Sequence, residues 1–152
     1  MNFSKFNNMV NLDGIKKDIE EAKMNTGSGD FEEVPFGKYE VKLDKLDLVE
    51  CKSEKNKGQP MISAWFRILT GEQKNRLIFM SQLVNEGFKI HIMNEFLRDL
   101  DSGCTIEFVD YEQYGNLLMD IFEASSNTGF VLDYYQNNKG YKSYSIEEVF
   151  DM

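Results

Sequence analysis

The chain has 152 residues, of which 41% are hydrophobic and 13% aromatic, and its net charge is −9. This length and composition indicate one globular domain with a sizeable core and exclude a disordered chain. The sequence contains no apolar run of the roughly 20 residues that a membrane helix requires, and it does not begin with the pattern of a secretion signal. We therefore expect a cytoplasmic protein that does not bind membranes.

The charges are unevenly distributed along the chain. Residues 37–80 contain nine Lys and Arg against six Asp and Glu, whereas residues 99–138 contain eight acids and no Lys or Arg. Such an asymmetry concerns the partners of a protein rather than its fold. A solvated acidic surface is the simplest interpretation, and a basic binding surface within an acidic protein is the more specific one.

The N-terminal residues are predicted to form a helix followed by a linker. Apolar residues recur at helical spacing between residues 9 and 24, and the segment NTGSGD at 25–30 interrupts regular structure. We assign residues 1–30 to this helix and linker, residues 31–148 to the main domain, and residues 149–152 to a short acidic C-terminal end.

A long strand is predicted from Phe36 to Glu50. Its apolar alternation slips by one residue after Leu43, so that Leu46 and Leu48 continue it out of step. A slip of one residue turns every later side chain to the wrong face unless a β-bulge absorbs it. A long first strand bent by a bulge is what a small curved barrel requires.

The next two strands are predicted at residues 61–69 and 76–83, joined by a turn at 70–75. In the first of them four apolar residues alternate toward the core, which places Trp65 and Arg67 on the opposite face. In the second, apolar residues occur at both parities, so that no inner face is assigned.

The second half of the chain mixes helices and strands. Its predicted elements are a helix at 86–100, a strand at 104–110, a helix at 114–123 and a hairpin of strands at 130–136 and 141–146. The predicted apolar stripe of the first helix consists of Ile92, Met93, Phe96, Leu97 and Leu100. The element order predicts a mainly β protein with helices (α+β), namely a five-stranded OB-like barrel with a helix between strands 3 and 4 and an N-terminal helix.

Side chains that could support catalysis or bind a metal ion are scarce in the sequence. A zinc site needs four ligands, and the chain offers only Cys51, Cys104 and His91 as thiol or imidazole ligands. No nucleophile, P-loop, dinucleotide or HExxH motif occurs. The sequence therefore predicts two free thiols, no cofactor, no metal site and no enzymatic activity.

Aromatic and basic residues in the predicted barrel suit single-stranded nucleic acid. Strand parity directs Trp65, Tyr135 and Tyr141 outward, where bases could stack on their rings. Cations beside them could pair with phosphates; they are Lys55, Lys57, Arg67, Lys74, Arg76 and Lys139. The alternative is that Trp65 packs under the insert and that the lysines only keep the loops soluble.

The chain ends in acids and an aromatic residue. Glu147, Glu148 and Phe150 form a short acidic segment of the kind that recruits partner proteins in single-stranded-DNA-binding proteins. They are therefore the predicted partner-binding residues.

Five short motifs resemble a family of phage-encoded proteins long catalogued as of unknown function. They are PFGKYEV at 35–41, KGQPMI at 57–62, FRILTG at 66–71, RLIF at 76–79 and EFLRDL at 95–100. The resemblance extends over roughly residues 35–148. It implies a phage accessory protein, encoded near replication and recombination genes, with an OB-like domain that acts on single-stranded DNA in the bacterial cytoplasm during infection.

The function predicted from these observations is single-stranded DNA binding in phage replication or recombination, with replication or recombination proteins as further partners. The first alternative is an acidic interaction module that inhibits or recruits a host or phage protein, with the cation-free segment 99–138 imitating nucleic acid. A metal-dependent nuclease is the second alternative. The sequence leaves the oligomeric state open, and a homo-oligomer is compatible with it.

Overall fold

Residues 34–152 are described by a computed structural model of the chain. The helix predicted at 9–24 and the linker at 25–30 lie outside the described residues. The elements observed are the strands β1 (Gly37–Glu50), β2 (Pro60–Ile68), β3 (Leu77–Leu83), β4 (Thr128–Gln136) and β5 (Lys142–Asp151) and the helices α1 (Gly87–Asp99) and α2 (Tyr111–Ala124). The described chain is thus mainly β, with both helices inserted between β3 and β4.

The five strands form one antiparallel sheet in the order β3-β2-β1-β4-β5. The central strand β1 pairs with β2 through residues 41–50 and with β4 through residues 37–42. Because its two neighbours pair along different halves of β1, the β2–β3 and β4–β5 pairs are strongly staggered along the sheet.

The predicted bulge in β1 is confirmed. The register with β2 passes from Leu43, opposite Phe66, to Lys45, opposite Trp65, which leaves Asp44 as the extra residue. Leu43 and Leu46 are consequently both buried although they are three residues apart. The bulge restores the apolar residues that follow the slip to the inner face of the sheet.

The inner face of the sheet forms the core together with the two helices. The four alternating apolar residues of β2 are buried as predicted: Ile62, Ala64, Phe66 and Ile68. On β3, whose inner face the sequence left unassigned, Ile78 and Met80 are buried and Phe79 points outward. Helix α1 faces this core, with the Phe96 ring centroid 6.1 Å from that of Phe66.

One position in the predicted stripe of α1 is wrong. Ile92 is 54% exposed, whereas Asn94, which the predicted stripe did not include, is buried. The reason is a contact from a distant part of the chain: the hydroxyl group of Tyr114 on α2 donates a hydrogen bond of 2.6 Å to Asn94 Oδ1. A buried polar side chain is tolerated where such a partner exists.

The strand predicted at 104–110 is also wrong, because this segment pairs with no strand of the described sheet. Side chains bind its backbone instead: Arg98 donates to the carbonyl of Ile106 and Gln113 to that of Glu107. Helix α2 begins earlier than predicted, because Asp110 caps it by accepting a hydrogen bond of 2.7 Å from the Gln113 backbone N–H.

The predicted barrel is not closed. The described residues show no backbone pairing between β3 and β5, and the sheet stays open there. We call this opening the seam. The side chain of Tyr144 on β5 spans it, because its hydroxyl group donates a hydrogen bond of 2.7 Å to the carbonyl oxygen of Phe79 on β3. Helix α1 contacts both strands beside the seam. A side chain and a helix therefore join edges that a barrel would join by main-chain pairing.

Neither helix of the described part is long and apolar enough to cross a membrane. Both cysteines, Cys51 and Cys104, are free thiols there.

The last residues of the chain belong to the sheet. Strand β5 continues through Asp151, beyond the domain end expected at residue 148. In this extension Phe150 is opposite Gly129 of β4, and its ring lies directly over the place that a β-carbon at Gly129 would occupy. The Phe150 ring therefore leaves no room for a side chain at residue 129. The backbone conformation is not the reason for the glycine, because other residues can adopt it.

We expect Gly129→Ala to destabilise the protein by about 1–3 kcal/mol, because the added methyl group displaces the Phe150 ring from a packed position. Gly115→Ala is the matched control: its β-carbon would lie 3.8 Å from Leu48 Cδ2, an ordinary contact. Since Ala favours a helix over Gly by about 1 kcal/mol, the control should be neutral or more stable. Urea unfolding measures both, and equal stability of Gly129→Ala and wild type would contradict the account.

The buried hydroxyl group of Tyr114 predicts a loss of stability at high pH. Burial, partly offset by Arg98, raises the pKa of Tyr114 to about 12. In the unfolded chain the same group ionises near pH 10. Its contribution to the free energy of unfolding is therefore fully present below about pH 10 and is lost as the pH rises toward 12. In Tyr114→Phe this alkaline loss should shrink, although the variant starts less stable because Asn94 loses its donor. A parallel decline of both proteins with pH would refute the assignment.

Candidate nucleic-acid interface

The outer face of the sheet carries a row of three side chains in lateral register. Lys45 of β1 is opposite Trp65 of β2, and Trp65 is opposite Phe79 of β3. The Lys45 Nζ atom lies 4.4 Å from the centroid of the Trp65 ring, and the Phe79 ring meets that ring edge-on at 5.3 Å. We call these three residues the aromatic row. The row lies on the outer face because Leu46, Ala64, Phe66, Ile78 and Met80, which flank its members in the sequence, are all buried.

Arg67 lies on the same face, one pair of residues along β2. Its Nη2 atom is 3.0 Å from Asp44 Oδ2, and its Nη1 atom donates a hydrogen bond of 2.8 Å to the carbonyl of Asn75. The guanidinium group therefore ties the bulge of β1 to the β2–β3 turn. Because its charge is already paired with Asp44, Arg67 holds the turn in place and is not a free cation.

The β1–β2 loop, residues 51–59, presents exposed lysines at the end of the two strands. Its base is closed by two backbone hydrogen bonds between Cys51 and the pair Gly58 and Gln59. A hydrogen bond with the Ser53 hydroxyl lowers the pKa of the Cys51 thiol. The exposed cations of the loop are Lys52, Lys55 and Lys57, and none of them takes part in an ion pair within residues 34–152.

The two cations predicted in and beside the β2–β3 turn have different surroundings. Lys74 is exposed at the turn. Arg76 is half-buried, donates a hydrogen bond to Gln73 Oε1, and shares the inward parity of Ile78. It lies near Tyr39, where burial raises the pKa of the phenol more than the arginine lowers it. Arg76 is therefore separated from the aromatic row by the sheet.

The β4–β5 hairpin carries the remaining predicted residues. Its turn is held by Asn137, whose Oδ1 atom accepts hydrogen bonds from the backbone N–H groups of Lys139 and Tyr141 at 2.9 and 3.0 Å. Tyr135 and Tyr141 are 39% and 68% exposed, so both rings are accessible. The hairpin thus presents the two tyrosines to solvent, as predicted from strand parity, and Lys139 is exposed in its turn.

The three aromatic residues predicted as one platform form two separate groups. Trp65 is opposite Lys45 on β1, whereas Tyr135 follows Tyr134, which is opposite Gly37. The eight residues from Gly37 to Lys45 correspond to roughly 26 Å of strand. Within the sheet, the aromatic row and the hairpin tyrosines therefore lie at opposite ends of β1.

The seam provides a shorter connection between the two groups. Phe79 belongs to the aromatic row, and its carbonyl accepts the hydrogen bond from Tyr144, three residues from Tyr141. Tyr144 is itself stacked on Tyr134 at 5.5 Å, and Tyr134 contacts Phe36 at 4.8 Å. Aromatic rings therefore continue from the outer face through the seam to the end of the sheet that bears the hairpin.

Two members of the aromatic row, Lys45 and Phe79, were not predicted as site residues. The parity of Phe79 could not be read, because the third strand is apolar at successive positions. Lys45 directly follows the bulge residue, so its outward direction depends on where the bulge lies. The signal that would have found both is the register of β1, β2 and β3 at Trp65.

The predicted partner-binding residues are held in the edge strand β5. Glu147 lies 3.5 Å from Lys38 Nζ in an exposed ion pair, and the Phe150 ring covers Gly129. Glu148 is exposed. Across residues 34–152, no three side chains of His, Cys, Asp or Glu come close enough to hold a metal ion.

Residues 20–105, more than half of the chain, match the family described as Protein of unknown function (DUF669), and the chain belongs to this family. The matched range includes β1, β2, β3 and α1, and so contains the aromatic row and the lysine-bearing loop. It starts and ends earlier than the stretch 35–148 on which the resemblance to phage proteins was based. No curated protein matches the chain.

We expect Tyr144→Phe to destabilise the protein by about 0.5–1.5 kcal/mol, because it removes the hydrogen bond that spans the seam. Tyr141→Phe is the matched control, since that side chain is 68% exposed and should change stability little. Urea unfolding followed by the fluorescence of Trp65 measures both variants. Equal effects of the two substitutions would show that the hydrogen bond across the seam does not contribute to the free energy of unfolding.

Proposed function

We propose that the chain binds single-stranded DNA across the outer face of β2 and β3. The observation that carries the proposal is the aromatic row on the outer face of β1, β2 and β3, together with the β1–β2 loop, whose exposed lysines form no ion pair within the described residues. Exposed rings next to free cations bind single strands because bases stack on the rings while the cations meet phosphates. Neither contact requires a particular base, so binding is expected to depend little on sequence.

Each member of the row has a distinct part in this proposal. Phe79 is 37% exposed, and its ring is available for stacking. Trp65 is half-buried and holds Phe79 edge-on, so it supports the platform and offers part of its own surface. Lys45 lies over the Trp65 ring and is placed to meet the phosphate of a stacked nucleotide. Stacking contributes roughly 1–3 kcal/mol per base.

The proposed strand runs from the β1–β2 loop over the aromatic row and across the seam to the hairpin tyrosines. Lys55 and Lys57 contact phosphates at its first end, and Tyr141 and Lys139 bind it at the other. This route requires no contact from Arg76, whose side chain lies on the inner side. It places Arg67 below the path, where the ion pair with Asp44 fixes the adjoining turn.

We further propose that the sheet is an OB barrel left open at the seam. OB folds are five-stranded and partly open, and they bind oligonucleotides on strands 2 and 3 and with the loops that join strands 1 to 2 and 4 to 5. The aromatic row, the lysine-bearing loop and the β4–β5 hairpin occupy those three places. The resemblance to phage proteins adds the proposal that the activity serves phage replication or recombination in the cytoplasm of the host.

Binding of oligo-dT, about 16 nucleotides long, should quench Trp65 fluorescence at low salt and weaken steeply as salt is added. Phe79→Ala should weaken binding about tenfold or more, because it removes one stacking surface. Lys55→Gln with Lys57→Gln should lower the slope of log K against log salt by about 1.4, or 0.7 for each lost phosphate contact.

Lys89→Gln is the matched control for charge. Lys89 lies on α1, within 3.9 Å of Glu86 and away from the proposed path, so its removal should leave the salt slope unchanged. Duplex DNA of the same length should bind more weakly than oligo-dT. Absence of oligo-dT binding at low salt would eliminate the proposal.

A further inference from the structure

Helix α2 carries an exposed apolar ridge that the DNA-binding proposal does not use. The ridge consists of Tyr111, Met119 and Phe122, which are 38%, 63% and 39% exposed. Their spacing places them within roughly 80° of one another around the helix axis. The buried face of the helix, which includes Leu118 and Ile121, lies to one side of the ridge.

Acidic residues form the stripe on the other side of the ridge. They are Glu112, Asp120 and Glu123, all of them exposed. None of them takes part in an ion pair within the described residues. Apolar and acidic side chains are therefore exposed side by side in the C-terminal half of α2, at Met119, Asp120, Phe122 and Glu123. At the other end of the helix Tyr111 is held by its hydrogen bond to the Val84 carbonyl, and Gly115 between them faces β1.

The positions of two of these acids are unfavourable for the helix itself. Asp120 and Glu123 lie in the C-terminal part of α2, where the helix dipole is negative and favours cations. The last turn of α2 contains no basic residue. Glu112, in the first turn, is favourably placed, so the helix dipole accounts for it but not for the other two.

From this combination we propose that α2 docks a Lys- and Arg-rich amphipathic helix of a partner protein. Its apolar residues would cover Met119 and Phe122, and its cations would meet Asp120 and Glu123 at the negative end of α2. The charge complementarity selects a basic partner rather than an acidic or neutral one.

The docking surface lies on the side of the sheet opposite the aromatic row. Helix α2 contacts β1, and a β-carbon at Gly115 would lie 3.8 Å from Leu48 Cδ2. Leu48 has the inward parity of Leu46, whereas Lys45 points outward. DNA and the partner helix are therefore expected to bind at the same time without competing. If segment 99–138 imitated nucleic acid instead, it would compete with DNA for the same partner.

The test uses a fluorescein-labelled Leu/Lys peptide of about five helical turns, with its leucines on one stripe, and a scrambled peptide of the same composition. The full chain should bind the amphipathic peptide at least about tenfold more tightly than the scrambled one. Met119→Ala with Phe122→Ala should weaken binding about tenfold or more, as truncation of central apolar contacts does.

Substitution of Asp120 and Glu123 distinguishes a role in binding from a role in stability. Asp120→Asn with Glu123→Gln should weaken peptide binding while raising the melting temperature, because it relieves the unfavourable helix-end charges. Asp99→Asn with Asp101→Asn removes the same charge from two exposed acids at the C-terminal end of α1 and should leave peptide binding within about twofold of wild type. Both double variants should bind oligo-dT alike, which separates failure of this proposal from failure of DNA binding.

Three results would overturn the proposal. The first is equal binding of the amphipathic and scrambled peptides. The second is equal loss of peptide binding in the two acidic double variants, since this would reduce the attraction to net charge. The third is a wild-type dimer that Met119→Ala with Phe122→Ala converts to a monomer, because the ridge would then belong to a second copy of the chain.

Discussion

The bulge at Asp44 is the feature on which the rest of the described structure depends. Without the extra residue, the apolar alternation of β1 after Leu43 would turn Leu46 outward, and no common core could form. The same extra residue supplies the carboxylate that binds Arg67 at 3.0 Å, which steadies the turn leading to β3. It also sets the parity of Lys45, and thereby the aromatic row. One inserted residue thus links the core, the curvature of the central strand and the candidate binding face.

The two sides of the sheet differ in the side chains that they expose. The outer side carries the aromatic row, whereas the inner side is covered by α1 and by α2, and the exposed surface of α2 is apolar and acidic. An acidic protein can bind a polyanion when its cations are concentrated on one face, because the opposing charges lie beyond screening distance at physiological salt. The uneven charge along the sequence is therefore compatible with the two partners proposed for the two sides of the sheet.

Local patterns in the sequence were sufficient for the five strands of the sheet and for the position of the bulge, because both are encoded in alternation over a few residues. They were insufficient for the segment 104–110, which forms no strand, and wherever a distant residue decided the outcome. Asn94 is buried because Tyr114 reaches it, whereas Ile92 stays exposed because no described element packs over it. The separation of Trp65 from Tyr135 depends on which half of β1 each neighbour pairs with, and closure of the barrel depends on how β3 and β5 meet. Neither property can be read from one strand alone.

The hydrogen bond from Tyr144 to Phe79 has a consequence for behaviour at high concentration. Unpaired strand edges act as templates for strands of other molecules, and open sheets are prone to such association. Here the two edges of the sheet are turned toward each other, with a tyrosine ring between them and a helix beside them. Crowded copies of the chain would therefore meet no accessible strand edge at the seam, which opposes growth of one sheet onto another there.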